Sequence, residues 1–419
     1  MENSAAIAAT QTSFPDFMYS PRIPGWCDYA HVQVPSTIGR ERILIKREGV
    51  ARDRAPTFYP FGEEGGLAIR LRLGLVGSSL AAKQPPAAWG HGPPQPPGPH
   101  RLYFATPKDQ LPAVTHELAS IIDFIRYGAS RFSAAGLTFG HSHDNPIDEA
   151  THLVLASLHL PPDIPPAYGA GRLTSEERER VLALIERRVT ERLPVAYLVG
   201  ETWFAGLKFK SDRRALVPRS PIAELIESGF APWLDHRHVE RALDLCTGSG
   251  CIGIAMAEYN PDWQVDIVDI SDDALSLARE NIVFQHVEGR VEAVKSDLFN
   301  GLQGRRYDLI VSNPPYVTED EYAALPGEYG HEPKLGLTSG EDGLDICVRM
   351  LDEAADYLTE DGLLIVEVGE SEHALAALLP EVPFVWIEFK VGAMGVFALE
   401  RRDLIEHAGA IRSAAEARR

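Results

Sequence analysis

At 419 residues, with 45% hydrophobic and 24% charged residues, the chain is long enough for two or three domains and has an ordinary globular composition. No stretch approaches the ~20 uninterrupted apolar residues of a membrane span, and residues 1–9 lack the basic start and apolar block of a secretory leader. A formal net charge of −20 disfavours phosphate backbones and suits a basic partner, so stable nucleic-acid binding is not expected. Cys27, Cys246, Cys251 and Cys347 form no CxxC pair, and His141 and His143 sit in a Gly-, Ser- and Asn-rich loop. We read free thiols in a reducing cytoplasm and expect no metal site.

Residues 1–105 differ in kind from the rest. They carry 11 Lys+Arg against 8 Asp+Glu, which leaves 29 against 52 for residues 106–419, so the negative charge belongs to the remainder. Toward its end this segment runs through Gln84-Pro85-Pro86 and Pro93-Pro94-Gln95-Pro96-Pro97-Gly98-Pro99, a composition of extended linkers. Only short apolar runs such as Ile43-Leu44-Ile45 precede it, and we expect a poorly ordered extension.

Residues 106–195 are expected to form a small helical substrate-recognition domain. Leu118, Ile121, Ile122 and Ile125 have the spacing of one apolar helix face. A second helix is expected over Asp148 to His159. The third starts at Thr174-Ser175-Glu176-Glu177, a capping box ahead of Val181, Leu182, Ile185 and Val189, and closes at Pro194. Residues 196–240 bridge to the next unit, with strand-like runs at Trp203-Phe204 and Leu207 to Phe209.

Over 241–402, short apolar runs alternate with helical segments. Strands are expected at Ala242 to Leu245, Gln264 to Val268, Tyr307 to Val311, Leu363 to Val368 and Val385 to Lys390, with a tail over 403–419. The alternation predicts an α/β fold with a Rossmann-like, doubly wound, mainly parallel sheet. Ligands of such sheets lie beyond the carboxyl ends of the strands.

The first strand of this unit runs through Asp244 into Cys246-Thr247-Gly248-Ser249-Gly250, with Gly253 completing G-x-G-x-x-G. Asp269 ends the next strand and suits ribose hydroxyls. Taken alone, the pattern fits a dinucleotide as well as S-adenosylmethionine. Asp244, just before the turn, would repel a pyrophosphate but tolerate a cationic methionyl group.

Asn313-Pro314-Pro315-Tyr316 follows the strand from Tyr307 to Ser312. A planar amide or exocyclic amine is a poor nucleophile, because its lone pair is delocalised. The Asn313 oxygen and the Pro314 carbonyl can accept both N–H groups and hold the nitrogen toward an electrophilic methyl. Pro314 and Pro315 stiffen the loop, and Tyr316 can pack on the planar group. The same four residues could instead form a simple rigid turn.

Together, Asp244 to Gly253, Val268-Asp269 with Ala274-Leu275-Ser276-Leu277-Ala278, Ser296-Asp297-Leu298-Phe299 and Val311 to Val317 resemble the protein glutamine N-methyltransferases. These enzymes modify class-1 peptide release factors or a large-subunit ribosomal protein. The resemblance spans roughly residues 110–400. Ser220-Pro221 within Val217-Pro218-Arg219-Ser220-Pro221, with Asp144-Asn145-Pro146, looks more like the branch acting on large-subunit ribosomal protein three.

The resemblance implies S-adenosyl-L-methionine as cofactor, with Cys246, Thr247, Gly248, Ser249 and Gly250 along its methionyl and ribose side. Asp269 would take the ribose hydroxyls, Asp297 and Leu298 would flank adenine, Asp244 and Asn313 would also border the cofactor, and Asn313 to Tyr316 would hold the acceptor glutamine. Cys246 stands where related enzymes often have Gly, so its backbone is expected to matter more than its thiol. The implied partner is a basic ribosomal protein, met before or during ribosome assembly.

Several residues keep a second reading. Asp297 could be a helix cap or turn residue, Glu367 could reach the cofactor side or be a solvated strand-end carboxylate, and Arg219 could be either a substrate anchor or a sheet-edge salt bridge. Three rival functions also stand: an adenine methyltransferase, a nicotinamide dehydrogenase and a non-catalytic docking module.

Overall fold

The computed structural model describes residues 117–390 and 392–418. The expected extension over 1–105, its proline run and Cys27 lie outside the described residues, as do positions 106–116 of the expected helical domain. No helix among the described residues is long and apolar enough to cross a membrane.

The helical unit begins with α1 (Ile121–Ala134), capped by Ser120 and Asp123 in a reciprocal box. Its buried face is Ile121, Phe124, Ile125, Gly128, Ala129 and Phe132. Ile122 is 56% exposed, contrary to expectation, because it follows Ile121 by one residue and so turns away from the face its neighbours share. Asn145 caps α2 (Pro146–Ser157) by accepting from the Ile147 and Asp148 amides. The Thr174–Glu177 capping box opens α3 (Ser175–Glu191), which buries Val181, Leu182 and Ile185. Arg192 ends α3 in the left-handed region, two residues before Pro194, and the short α4 (Val195–Val199) follows.

Two charges hold this apolar core in register. Arg188 of α3, fully buried, meets Glu149 of α2 at 2.5 Å and donates to the Thr138 carbonyl at 3.0 Å. A hairpin of β1 (Glu201–Phe204) and β2 (Leu207–Lys210) leads to α5 (Ile222–Glu227).

The main sheet is built from β3 (Arg241–Leu245), β4 (Gln264–Asp269), β5 (Val291–Lys295), β6 (Tyr307–Ser312), β7 (Leu358–Glu367), β8 (Val385–Trp386) and β9 (Val396–Glu400). Their order is β5-β4-β3-β6-β7-β9-β8. β3 to β7 pair parallel with one another, while β9 runs antiparallel to both β7 and β8. The expected strand at Val385 to Lys390 shortens to two residues, because β9 takes the place beside β7 and leaves β8 as the outer edge.

Alternating side chains serve opposite faces. Ala242, Ile267, Leu309, Val311 and Ile365 pack with α5, α6 (Cys251–Tyr259) and α7 (Asp272–Phe284). Leu243, Leu245, Ile310, Leu364 and Val366 pack on the other face. The loop after β6 carries α8 (Glu319–Ala324) and leads to α9 (Asp345–Ala354); α10 (Glu372–Leu378) follows β7. Residues 403–419, expected as a tail, include most of α11 (Arg401–Glu406) and α12 (Ala408–Glu416), whose Leu404, Ile411 and Ala415 enter that second core.

Two buried glutamates fasten the loop after β6 to earlier segments, Glu328 to the helical unit and Glu332 to the bridging stretch. Glu328 accepts from the Thr138 amide at 2.9 Å and from Arg192 at 2.8 Å. Glu332 accepts from the Val217 amide at 2.9 Å and takes the Arg219 guanidinium through two bonds, at 2.7 and 2.9 Å. His141 is buried beside them, 3.8 Å from Glu332 and with its ring 4.3 Å from that of Tyr329. Burial pushes the His141 imidazole down to about 4, so it is neutral near pH 7.

Two outcomes follow from these buried groups. Glu149→Ala leaves Arg188 unpaired in the core and is expected to cost about 3–5 kcal/mol in urea unfolding; an unchanged midpoint would contradict the pairing. His141 titrates at 6.5 in an ordinary setting and at about 4 in the fold, so the unfolded chain binds its proton first and this contribution is lost as pH falls between those values. His141→Asn is therefore expected to flatten the pH dependence of unfolding free energy there by up to ~1.4 kcal/mol per pH unit. Parallel curves for the two proteins would show that the imidazole is not held neutral.

Candidate active site

At the carboxyl ends of the central strands, the backbone must turn within a few residues into α6. Cys246, Gly248 and Gly250 take φ values of +58°, +57° and +84°, a path that the two glycines follow at little cost. Gly253 permits the close approach of α6 to the sheet, since a Cβ there would lie 2.2 Å from Ile267 Cγ2. Asp244 lies underneath this turn. Its carboxylate, fully buried, accepts from the Thr247 hydroxyl and, at 2.9 Å, from the Gly253 amide. Burial pushes this carboxyl up to about 7.

Asp269 closes the turn from β4. One carboxylate oxygen accepts from the Gly248 amide at 2.9 Å and the other from the Ser271 amide at 2.8 Å. Burial raises its pKa from the usual carboxylate range. Each oxygen keeps a lone pair for a further donor. Asn281 of α7 completes the frame by donating to the Ser249 carbonyl at 2.9 Å and bridging to the Lys210 backbone.

β6 lies beside β3 with Ser312 paired to Leu245, and the Ser312 hydroxyl donates to the Leu245 carbonyl at 2.7 Å. This pairing sets Asn313-Pro314-Pro315-Tyr316 next to the glycine turn. Asn313 lines the cleft, and no described residue forms a hydrogen bond with its side-chain amide. Tyr316 donates to Glu367 at 3.0 Å.

A single cleft of about 630 Å³ gathers Cys246, Thr247, Gly248, Ser249, Asp269, Asp297, Leu298, Asn313, Pro314, Pro315 and Tyr316. Two expected cofactor contacts do not line it: Asp244, turned under the loop to satisfy Thr247 and Gly253, and Gly250, which passes backbone into α6. Asp297 is no simple turn residue, for Arg349 of α9 reaches both its oxygens at 3.1 Å. Arg219 forms a salt bridge with Glu332 and also lines the cleft, so neither of its two readings is removed. Glu367 is only 5% exposed, so it is not a solvated strand-end carboxylate; Ser220 and Tyr316 shield it from water.

The arginines lining the cleft are already matched. Arg214 pairs with Asp212 and Glu280, Arg219 with Glu332, and Arg349 with Asp297. A pyrophosphate would find no uncommitted guanidinium here, whereas the apolar walls of Val268, Ile270 and Leu298 suit a planar base, and Asp269 suits hydroxyl donors.

Sequence reasoning missed Asn281, Arg349 and the paired role of Ser220 with Glu367. Only the strand-end position of Glu367 carried a signal. The others depend on partners distant in sequence.

A family model described as the methyltransferase small domain matches residues 229–325. The ribosomal protein uL3 glutamine methyltransferase of Xanthomonas campestris pv. campestris is 66% identical over 306 residues, covering 73% of this chain and 99% of that protein. The protein of the same name from Xylella fastidiosa (strain 9a5c) is 67% identical over 296 residues, covering 71% and 95%. Among solved structures, a methyltransferase from Pyrococcus furiosus aligns with a TM-score of 0.33 and 22% identity, over 54% of this chain and 99% of that one. The identities, sustained over almost the whole length of the two named enzymes, show that this chain belongs to the ribosomal protein uL3 glutamine methyltransferase family.

Proposed function

We propose that this protein transfers the methyl group of S-adenosylmethionine to the side-chain amide nitrogen of a glutamine in ribosomal protein uL3. The observation that carries the reading is the Asn313 amide, left without a described protein partner in a cleft it shares with the glycine turn. Identity of 66–67% to enzymes named for this reaction supports the choice of acceptor.

The residues present fit the cofactor. Asp269 offers two oxygens to the ribose hydroxyls, and Cys246, Thr247, Gly248 and Ser249 hold the methionyl and ribose side through backbone close to the ligand. Leu298 and Ile270 give the adenine apolar walls, with Asp297 held by Arg349 at the edge. Asp244 and Gly250 contribute by shaping the turn. S-adenosylmethionine supplies an electrophilic methyl carried on a sulfonium.

Asn313 Oδ1 and the Pro314 carbonyl accept the two N–H groups of the glutamine amide, which orients its nitrogen and raises the electron density there. Pro314 and Pro315 keep these acceptors in place at little entropic cost during turnover. Tyr316 walls the acceptor end.

The helical unit serves as the recognition domain, and the excess of acidic residues after position 105 suits a basic ribosomal protein. The enzyme acts in the cytoplasm on uL3 before or during its assembly into the large subunit. The acidic balance weighs against an adenine in nucleic acid as acceptor.

Asn313→Ala is expected to leave cofactor affinity unchanged in calorimetry yet lower the rate of labelled methyl incorporation into uL3 by ~10²-fold or more. Wild-type turnover by this variant would remove Asn313 from the assigned role.

A further inference from the structure

β7 carries Glu367 to the same sheet edge as the acceptor loop, because Ser312 of β6 is paired with Val366. We propose that Glu367 is a positioning residue for methyl transfer: its buried carboxylate fixes the Tyr316 ring as a wall of the acceptor end and ties it to Ser220. The inference rests on the acceptor reading above.

The hydrogen-bond directions are determined by the donors available. Ser220 Oγ lies 2.5 Å from Glu367 Oε2 and also accepts from the Ile222 amide at 3.2 Å, so its own proton goes to the carboxylate. Tyr316 donates its phenol proton to Oε1 at 3.0 Å. Glu367 thus accepts from two hydroxyls, one on each of two segments lining the cleft. The nearby Arg219 is committed to Glu332. Among the described residues no cation forms an ion pair with Glu367, although burial of a carboxylate without one carries a large desolvation cost. A side chain filling space alone would be better served by an apolar residue of the same size.

The backbone around Tyr316 leaves it little freedom. A Cβ on Gly369 would lie 2.6 Å from Tyr316 Cε2, and one on Gly343 would lie 2.1 Å from the Tyr316 carbonyl oxygen. Ser371 donates to that carbonyl at 3.3 Å. Two glycines from separate loops therefore let the ring and main chain of Tyr316 settle against backbone, and Glu367 fixes the remaining end, the hydroxyl. The contacts of Glu367 all lie on the acceptor side of the cleft; those to the glycine turn come from Asp244 and Asp269. Loss of Glu367 should then affect turnover without affecting cofactor affinity.

The test is a double-mutant cycle with uL3 as acceptor, using wild type, Glu367→Gln, Tyr316→Phe and the combined variant, with cofactor affinity measured for each. Glutamine offers one acceptor oxygen where two hydroxyls donate, so its introduction disturbs the arrangement at nearly constant volume. Each single variant is expected to lose ~10- to 100-fold in kcat with cofactor Kd within about twofold of wild type, and the double variant should be no slower than the slower single. Additive losses, or equal losses in kcat and cofactor affinity, would overturn the assignment. Should Glu367→Gln fold poorly, Tyr316→Phe and Ser220→Ala each delete one hydroxyl from the same arrangement, and wild-type kcat in both would overturn it equally. A wild-type enzyme inert toward uL3 would instead refute the acceptor, and this inference with it.

Discussion

The parallel pairing of Leu245 with Ser312 is the contact on which the site depends. It stands where strand order reverses in the sheet, so the chain leaves β3 and β6 in adjacent positions and opens a cleft between the two exits. The same row of pairs places Asp269 on one flank through Val268 and Glu367 on the other through Val366. Cofactor turn, ribose carboxylate, acceptor loop and its supporting glutamate are thus consecutive along one sheet edge. Rigid strands, rather than loop packing alone, set their separations.

The cleft is held by carboxylates that the fold has removed from water. Asp244, Asp269 and Glu367 all have pKa values raised by burial, and each accepts from amide or hydroxyl donors within the protein, with Asp244 Oδ1 left without a partner. Arginines take Asp297 and Glu332. Such an arrangement costs stability relative to an apolar core, but it leaves few groups free to reorganise when substrate binds. The glutamine nitrogen, a weak nucleophile, needs that fixed geometry more than it needs a strong base.

Legibility in the sequence followed how local each constraint is. The glycine turn and Asn313 to Tyr316 were readable because backbone sterics and fixed proline φ angles act within a few residues. The capping box at Thr174 was equally local. β5 was missed because Val291-Glu292-Ala293-Val294-Lys295 is a partly exposed edge strand with little apolar contrast. β9 was missed because two apolar runs compete for the place beside β7, and only tertiary packing decides between them. Ile122 was assigned to a face that a one-residue rotation denies it. The burial of Glu367 depends on Ser220, 147 residues away, and no local pattern contains such a partner. Burial of the two C-terminal helices likewise depends on the sheet face that they cover.

The most direct measurement is mass spectrometry of purified uL3 after incubation with this protein and S-adenosylmethionine carrying a labelled methyl group. One glutamine-containing peptide is expected to gain a single methyl, with fragment ions placing it on the side-chain amide. Unmodified uL3, or label found on another residue or in nucleic acid, would contradict the assignment.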